Sequence, residues 1–231
     1  MIKLFIDAGH NYSGYDTGAV GNGLKEQDVS FHIASQLTLL CRKAGYTVFE
    51  SRPTITVNVG ANASDSINQR AKLANAANAD YFISIHCNAG GGKGTETLIY
   101  AVGGQGEKLA KSIQSSVCAA LSMTNRGIKV RAELGVLRLT NMPAVLVETG
   151  FIDNVQDAEK LATRYNEFAV AIFEGIQEFL GEKADDPAKP EEWAASAWKK
   201  AVNKGIFDGT MPRDGATRQQ IAVVLDRLGL L

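Results

Sequence analysis

Hydrophobic residues along the chain form short continuous runs that alternate with longer stretches of helical spacing. The runs are rich in β-branched and aromatic residues, which predicts buried strands at residues 2–10, 46–49, 81–86, 95–100 and 144–148. Between them, apolar positions recur every three or four residues, which predicts helices at about 29–40, 64–77, 105–121 and 154–180, the last broken near Tyr165. This alternating order predicts an α/β fold with a mostly parallel sheet and helices on both faces.

Two segments between these elements carry no such periodicity. Residues 11–23 are polar and rich in glycine, and residues 122–143 follow the third helix without a clear pattern. Both segments are therefore predicted to be irregular. Ser64, at the start of the second helical pattern, is predicted to be the N-cap of that helix.

A change of composition near residue 180 predicts a boundary between two domains. Residues 181–190 are polar and charged and contain two prolines, which is typical of a linker. Residues 191–231 place apolar positions on two short helices, one around Trp193 and one around Val224. We therefore expect a main domain at residues 1–180 and a small all-helical C-terminal unit at residues 191–231.

Composition and charge limit the classes of function. The chain has 231 residues and a formal net charge of −1, so it can bury one sizeable core but has no basic field to attract nucleic acid. It has no apolar run long enough to span a membrane, and Asp7 interrupts the first run too early for a signal peptide. We expect synthesis in the cytoplasm without a signal peptide. The three scattered cysteines, Cys41, Cys87 and Cys118, predict buried free thiols.

Four polar side chains lie where the predicted elements begin or end. His10, His86 and Glu148 end apolar runs, and Glu26 precedes the first helix. The carboxyl ends of parallel strands share one rim, where α/β proteins bind ligands, so we expect these side chains to meet there. Two histidines and one carboxylate form a typical catalytic zinc set, and a nearby glutamate can act as a base. A strand-end histidine is more often only a hydrogen-bonded residue, so the spacing alone supports a generic metal cleft.

The local sequences around these residues resemble a known enzyme family. The matching motifs are Asp-Ala-Gly-His at residues 7–10, Gly-Asn-Gly-Leu-Lys-Glu at 21–26, Ser-Ile-His-Cys-Asn-Ala at 84–89 and Pro-Ala-Val-Leu-Val-Glu-Thr-Gly-Phe-Ile-Asp-Asn at 143–154. Over residues 1–180 the chain resembles the zinc-dependent N-acetylmuramoyl-L-alanine amidases of the type 3 class. That resemblance implies an α/β sheet flanked by helices.

The resemblance also implies roles for the four side chains. It makes His10, Glu26 and His86 the ligands of Zn²⁺ and Glu148 the catalytic carboxylate. The implied reaction cuts the amide between the lactyl group of N-acetylmuramic acid and the L-alanine of the peptidoglycan stem peptide. Asn-Tyr-Ser at residues 11–13 departs from the glycines of many relatives, so the resemblance does not extend to the shape of that loop.

Two further residues, Arg70 and Glu133, allow both a functional and a structural interpretation, and two others, His32 and Cys87, are interpreted as structural or surface residues. Arg70 could meet substrate or form an ion pair, and Glu133 could project into the cleft or lie in solvent. His32 is interpreted as a surface histidine beside the apolar stripe of its helix. Cys87 follows His86 in a strand, so its side chain is expected on the opposite face of the sheet.

The tail resembles part of a second family. Trp193, Trp198 and the segments 205–209 and 217–220 are similar to an S-layer homology motif, a module that binds cell-wall polymers. The alternative is a helical pair used for packing or for forming a homodimer. About one repeat is present.

Together these patterns give one leading hypothesis and two alternatives. The leading hypothesis is a peptidoglycan hydrolase, either a phage endolysin that reaches the wall from the host cytoplasm or a bacterial autolysin. The tail would bind a secondary cell-wall polymer or a second copy. The alternatives are a non-catalytic cell-wall-binding protein and a zinc peptidase that cuts another amide of peptidoglycan.

Overall fold

The computed structural model describes residues 1–182, 192–204 and 224–225. The chain divides into two units, Met1–Glu182 and Lys183–Leu231. The predicted linker from residue 183 onward lies outside the described residues, and so does nearly all of the predicted last helix. In the second unit, one helix, Glu192–Asn203, is described along most of the first predicted helical pattern.

A six-stranded sheet forms the centre of the first unit. Its strands are β1 (Lys3–Ala8), β4 (Thr47–Glu50), β5 (Tyr81–Asn88), β6 (Thr95–Ile99), β7 (Asn125–Val130) and β8 (Ala144–Phe151), in the order β4-β1-β5-β8-β6-β7. All neighbouring pairs are parallel except β6 with β8, which is antiparallel. The prediction of a mostly parallel sheet is confirmed. A separate two-stranded hairpin joins β2 (Val20–Gly21) to β3 (Leu24–Lys25).

Helices cover both faces of this sheet, as predicted. They are α1 (Glu26–Lys43), α2 (Ala63–Ala76), α3 (Gln105–Leu121), α4 (Gly135–Arg138), α5 (Val155–Thr163) and α6 (Tyr165–Leu180), and the helix of the second unit is α7. The predicted break near Tyr165 is confirmed, because Arg164 separates α5 from α6. None of the described helices has the length and apolar character needed to cross a membrane.

Two apolar cores lie on opposite faces of the sheet. On one face, Val145 and Val147 of β8 pack with residues of α1, α3 and α6. On the other, Leu146 packs with Phe5 and Phe82 and with residues of α2 and α4. Because successive residues of a strand point to opposite faces, Glu148 lies on the same face as Leu146. The helices packed on that face, α2 and α4, are shorter than α1, α3 and α6 on the other.

Several boundaries differ from the sequence predictions. His86 and Glu148 do not end their strands, because β5 continues to Asn88 and β8 to Phe151. The predicted N-cap Ser64 is wrong: α2 begins at Ala63, and the side chain of Asn62 accepts a hydrogen bond from the Asp65 amide at 2.9 Å. Asn62 therefore satisfies an otherwise unpaired amide of the first turn.

Two segments predicted to be irregular contain regular structure. The stretch between α3 and β8 holds β7 and the four-residue α4, and the glycine-rich loop ends in β2 of the hairpin. Every residue of the edge strand β7 is exposed or half-exposed. Because neither face of this strand is buried, its sequence shows no alternation of apolar and polar residues. The helix α4 is too short to show a helical period.

A buried ion pair joins the first strand to α2. Arg70 donates to Asp7 Oδ1 at 2.6 Å and to the Ala8 carbonyl at 2.7 Å, and both charged side chains are nearly inaccessible. Burial alone would raise the pKa of Asp7, but the charge of Arg70 and hydrogen bonds from Ser51 and Ser84 outweigh it and hold that pKa below its ordinary value. This pair fixes the backbone that leads into His10.

Replacing Arg70 should strongly destabilise the fold. Arg70→Met leaves the Asp7 carboxylate buried without its partner, and breaking such a pair costs about 3–5 kcal/mol. The control Arg42→Met removes a more exposed pair with Glu50, for which we expect a loss of about 0–1 kcal/mol. Urea unfolding followed by circular dichroism measures both. Equal losses in the two variants would contradict the structural role of Arg70.

Candidate metal centre and catalytic carboxylate

His10 lies two residues beyond β1, in a tight turn against β5. The Gly9 amide donates to the Ile85 carbonyl at 3.0 Å. A Cβ at position 9 would come within 2.4 Å of His86 Nε2, so only glycine permits this approach. His10 itself adopts a φ of 63°, in the left-handed region. The turn therefore brings the two histidines together.

Glu26 is held at the first residue of α1 by backbone amides. Its Oε2 accepts from the Ala19 amide at 2.8 Å, and its Oε1 accepts from the Cys87 amide at 3.0 Å. The residue is only 3% exposed. Gly18 leaves space beside it, since a Cβ there would lie 2.7 Å from Glu26 Oε2. The hairpin of β2 and β3 leads the chain into this position.

Three predicted ligands meet in one cluster. Glu26 Oε1 lies 2.9 Å from His10 Nε2 and 3.0 Å from His86 Nδ1, and the two imidazole rings are 4.6 Å apart between centroids. One ligand atom from each residue lies within 4.8 Å of the others. Two imidazole nitrogens and a carboxylate oxygen are donors that suit a transition-metal cation. The cluster therefore fits the predicted metal set.

The electrostatics of the cluster favour a positive charge next to Glu26. Burial alone would raise the pKa of Glu26, but hydrogen bonds with His10 and His86 hold it well below its usual range. Burial alone would lower the pKa of His10, but hydrogen bonds to Asp16 and Glu26 raise it to about 9. Glu26 is therefore a buried anion, and the imidazole nitrogens next to it can bind a cation together with it.

Glu148 lies beside the cluster in the neighbouring strand. It pairs in register with His86 across β5 and β8, and its Oε2 atom is buried without a hydrogen-bond partner. Burial is the main cause that raises its pKa to about 7; the negative charges of Glu26 and Glu96 add to it, and His86 opposes it. A carboxyl group that gains or loses a proton near neutral pH suits general acid–base catalysis.

Sequence reasoning missed Asp16, which orients His10. With His10 Nε2 facing Glu26, the other ring nitrogen, Nδ1, donates to Asp16 Oδ1 at 2.8 Å. Ser66 donates to Asp16 Oδ2, also at 2.8 Å. A carboxylate behind a ligating histidine fixes its tautomer and ring orientation. The available signal was an aspartate inside the glycine-rich loop that follows a candidate ligand.

The structure places Arg70, Cys87, His32 and Glu133 as follows. Arg70 forms the buried pair described above, and its donors point to backbone and side-chain acceptors of the fold. Cys87 packs in the opposite core, as predicted. His32 is exposed and lies 5.5 Å from the Tyr165 ring. Glu133 is 63% exposed and pairs with Arg131. These are structural or surface positions.

Comparison with known proteins identifies the same family along most of the first unit. Residues 4–178 match the family described as N-acetylmuramoyl-L-alanine amidase. The sporulation-specific N-acetylmuramoyl-L-alanine amidase of Bacillus subtilis is 43% identical over 166 residues, covering 71% of this chain and 61% of that protein. This chain thus spans about three fifths of the length of that amidase.

A phage protein and a solved structure extend the similarity. The endolysin of Bacillus phage SPP1 is 35% identical over 225 residues, which cover 90% of this chain and 79% of the endolysin. The crystal structure of an N-acetylmuramoyl-L-alanine amidase from Clostridium difficile 630 superposes with a TM-score of 0.69 at 31% identity. The match covers 79% of this chain and 98% of that one.

Removing the Asp16 charge should weaken metal binding. Asp16→Asn keeps the size of the side chain but loses the carboxylate behind His10, so we expect Zn²⁺ affinity to fall about 10- to 100-fold. Competition with a fluorescent zinc indicator measures it. The control Asp80→Asn alters a carboxylate that accepts from the Lys3 amide at the opposite end of the sheet and should keep wild-type affinity. Unchanged affinity in Asp16→Asn would contradict the orienting role.

Proposed function

The chain belongs to the N-acetylmuramoyl-L-alanine amidase family, and we propose that it is a zinc-dependent peptidoglycan hydrolase. The proposed reaction cuts the amide between N-acetylmuramic acid and the L-alanine of the stem peptide. The observation that carries this proposal is the His10–Glu26–His86 cluster with the unpartnered Glu148 oxygen in the adjacent strand. A binding protein without turnover has no need for that carboxylate.

His10, Glu26 and His86 would hold the zinc ion. Their donor atoms already converge, and Asp16 and the Ala19 and Cys87 amides orient two of the three side chains. When bound, zinc supplies a Lewis acid that polarises a carbonyl and lowers the pKa of water to roughly 7. Because the ligands come from the turn after β1, from α1 and from β5, the fold itself sets their spacing.

Glu148 would move the proton in the reaction. As water attacks the carbonyl carbon, the Glu148 carboxylate takes the proton that the water loses. When the carbon–nitrogen bond breaks, Glu148 gives that proton to the nitrogen, which leaves as the amino group of L-alanine. The products are a free lactyl carboxylic acid and a free stem peptide. The buried Oε2 atom of Glu148 has no hydrogen-bond partner among the described residues.

A wall-lytic setting and a tail function complete the proposal. The similarity to a phage endolysin over 90% of the chain supports a lytic role on the cell wall, and a bacterial autolysin is the second setting. For the second unit, binding of a secondary cell-wall polymer and formation of a homodimer stay as predictions. Light scattering of the full chain would favour the homodimer if it gives twice the monomer mass.

The variant Glu148→Gln should lose turnover and keep its metal. It replaces the proton-transferring carboxylate by an amide of equal size, so we expect the rate of wall digestion to fall by about 10²- to 10⁴-fold. Zinc content after dialysis should equal that of the wild type. Glu133→Gln changes an exposed carboxylate outside the cluster and should keep full activity. Wild-type turnover in Glu148→Gln would refute the assigned role.

The identity of the cleaved bond and the need for metal can be measured together. Purified cell walls digested by the enzyme should release new L-alanine amino termini, detected by mass spectrometry of derivatised products. A chelator should abolish this release and added Zn²⁺ should restore it. New termini inside the stem or the cross-bridge would instead support a zinc peptidase, and the absence of any product would support a binding protein.

A further inference from the structure

A row of polar side chains crosses the sheet beyond the metal cluster. His86 of β5 pairs with Glu148 of β8, and Glu148 pairs with Glu96 of β6. Residues in register share a face of the sheet, so the three side chains point to the same side. Glu96 is only 8% exposed. The row therefore runs from the candidate metal ligands past Glu148 toward the edge strand β7.

Glu96 is fully engaged in a small network. Asn88 donates to its Oε1 at 2.8 Å, and the Nε of Arg126 in β7 donates to its Oε2 at 2.8 Å. Both carboxylate oxygens therefore have a donor. The network places the Arg126 guanidinium next in the row after Glu96.

Arg126 is held from two sides and still has donors to offer. Its guanidinium lies 4.8 Å from the centroid of the Phe151 ring, which stacks against it. Gly92 packs closely on the same ring, since a Cβ there would lie 2.3 Å from Phe151. Within the described part of the chain, the two terminal nitrogens of Arg126 make no hydrogen bond. The side chain is 36% exposed, so these donors can reach a ligand.

We propose that Arg126 binds a carboxylate on the residue that follows L-alanine in the stem peptide. This inference rests on the proposed function. The metal ligands lie on one side of Glu148, and the carbonyl of the scissile amide would be held on that side. The nitrogen that leaves belongs to the stem peptide. The peptide therefore extends from Glu148 along the row toward Glu96 and Arg126.

Distance and chemistry both agree with this assignment. Two strand steps separate Glu148 from β7, about 10 Å, and the Arg126 side chain reaches back to Glu96. An extended peptide covers about 3.3 Å per residue, so the carboxylate of the second stem residue lies within reach of the guanidinium. A guanidinium with two free nitrogens on one edge matches the two oxygens of a carboxylate.

Two matched substrates test the proposal. They are soluble disaccharide-peptides in which the residue after L-alanine carries either a free α-carboxylate or the corresponding carboxamide. For Arg126→Gln, kcat/KM on the free acid should fall about 10- to 100-fold, mainly through KM. The value on the carboxamide should change less than about threefold. Equal losses on the two substrates, or no loss on either, would overturn the proposal.

Two control variants separate recognition from indirect effects. Arg126→Gln uncovers the Glu96 charge, which could repel an acidic substrate. The double variant Glu96→Gln/Arg126→Gln removes that charge, and we expect it to distinguish the free acid from the carboxamide no better than Arg126→Gln does. If the double variant instead recovers kcat/KM on the free acid, the loss in Arg126→Gln came from repulsion by Glu96 and not from lost binding, which would overturn the proposal. Lys129→Gln removes another exposed cation of β7 and should leave both substrates unaffected.

The same set of assays keeps this inference separate from the proposed function. If the wild type releases no L-alanine termini from purified cell walls, the proposed function fails. If the wild type digests walls, and its kcat/KM on each soluble substrate equals that of Arg126→Gln, only the role of Arg126 is refuted. A preference of the wild type for the free acid that disappears in Arg126→Gln supports both.

Discussion

A buried carboxylate, Glu26, is the constraint on which the candidate site depends. An unpaired negative charge is costly to bury, so the fold must surround it with donors or with a cation. Two backbone amides and two imidazole rings do so here. The same arrangement brings together donor atoms from the turn after β1, from α1 and from β5. A bound cation would complete the compensation of the Glu26 charge and stabilise the folded state.

Strand register sets the chemistry beside that charge. Because β8 lies between β5 and β6, Glu148 has His86 on one side and Glu96 on the other. Burial and the neighbouring negative charges raise the pKa of Glu148, whereas Glu96 forms an ion pair with Arg126 and accepts a hydrogen bond from Asn88. Two glutamates in adjacent strands thus have different environments. One can exchange a proton and the other anchors an arginine.

The sequence predicted the parts of this arrangement that depend on local pattern. Apolar runs located five of the six central strands, and three side chains of the site, His10, His86 and Glu148, ended such runs. Glu26 was located by its position just before the first helix. The sequence did not predict Asp16, Glu96 or Arg126, because their roles depend on contacts between distant segments. Arg126 lies in an edge strand without apolar alternation, and the position of Glu96 depends on the antiparallel pairing of β6 with β8. The spacing of apolar residues within one segment shows neither that a strand lies at the edge of the sheet nor which strand it pairs with.

The most direct measurement of the central claim is a crystal structure of the zinc-loaded protein with anomalous data at the zinc edge. The account predicts one zinc peak among His10, Glu26 and His86, with ligand distances of about 2.0–2.2 Å. It also predicts that Glu148 lies beside that ion and does not replace His10, Glu26 or His86 as a ligand. A zinc peak elsewhere in the molecule, with Glu26 still bonded to both histidines, would contradict it.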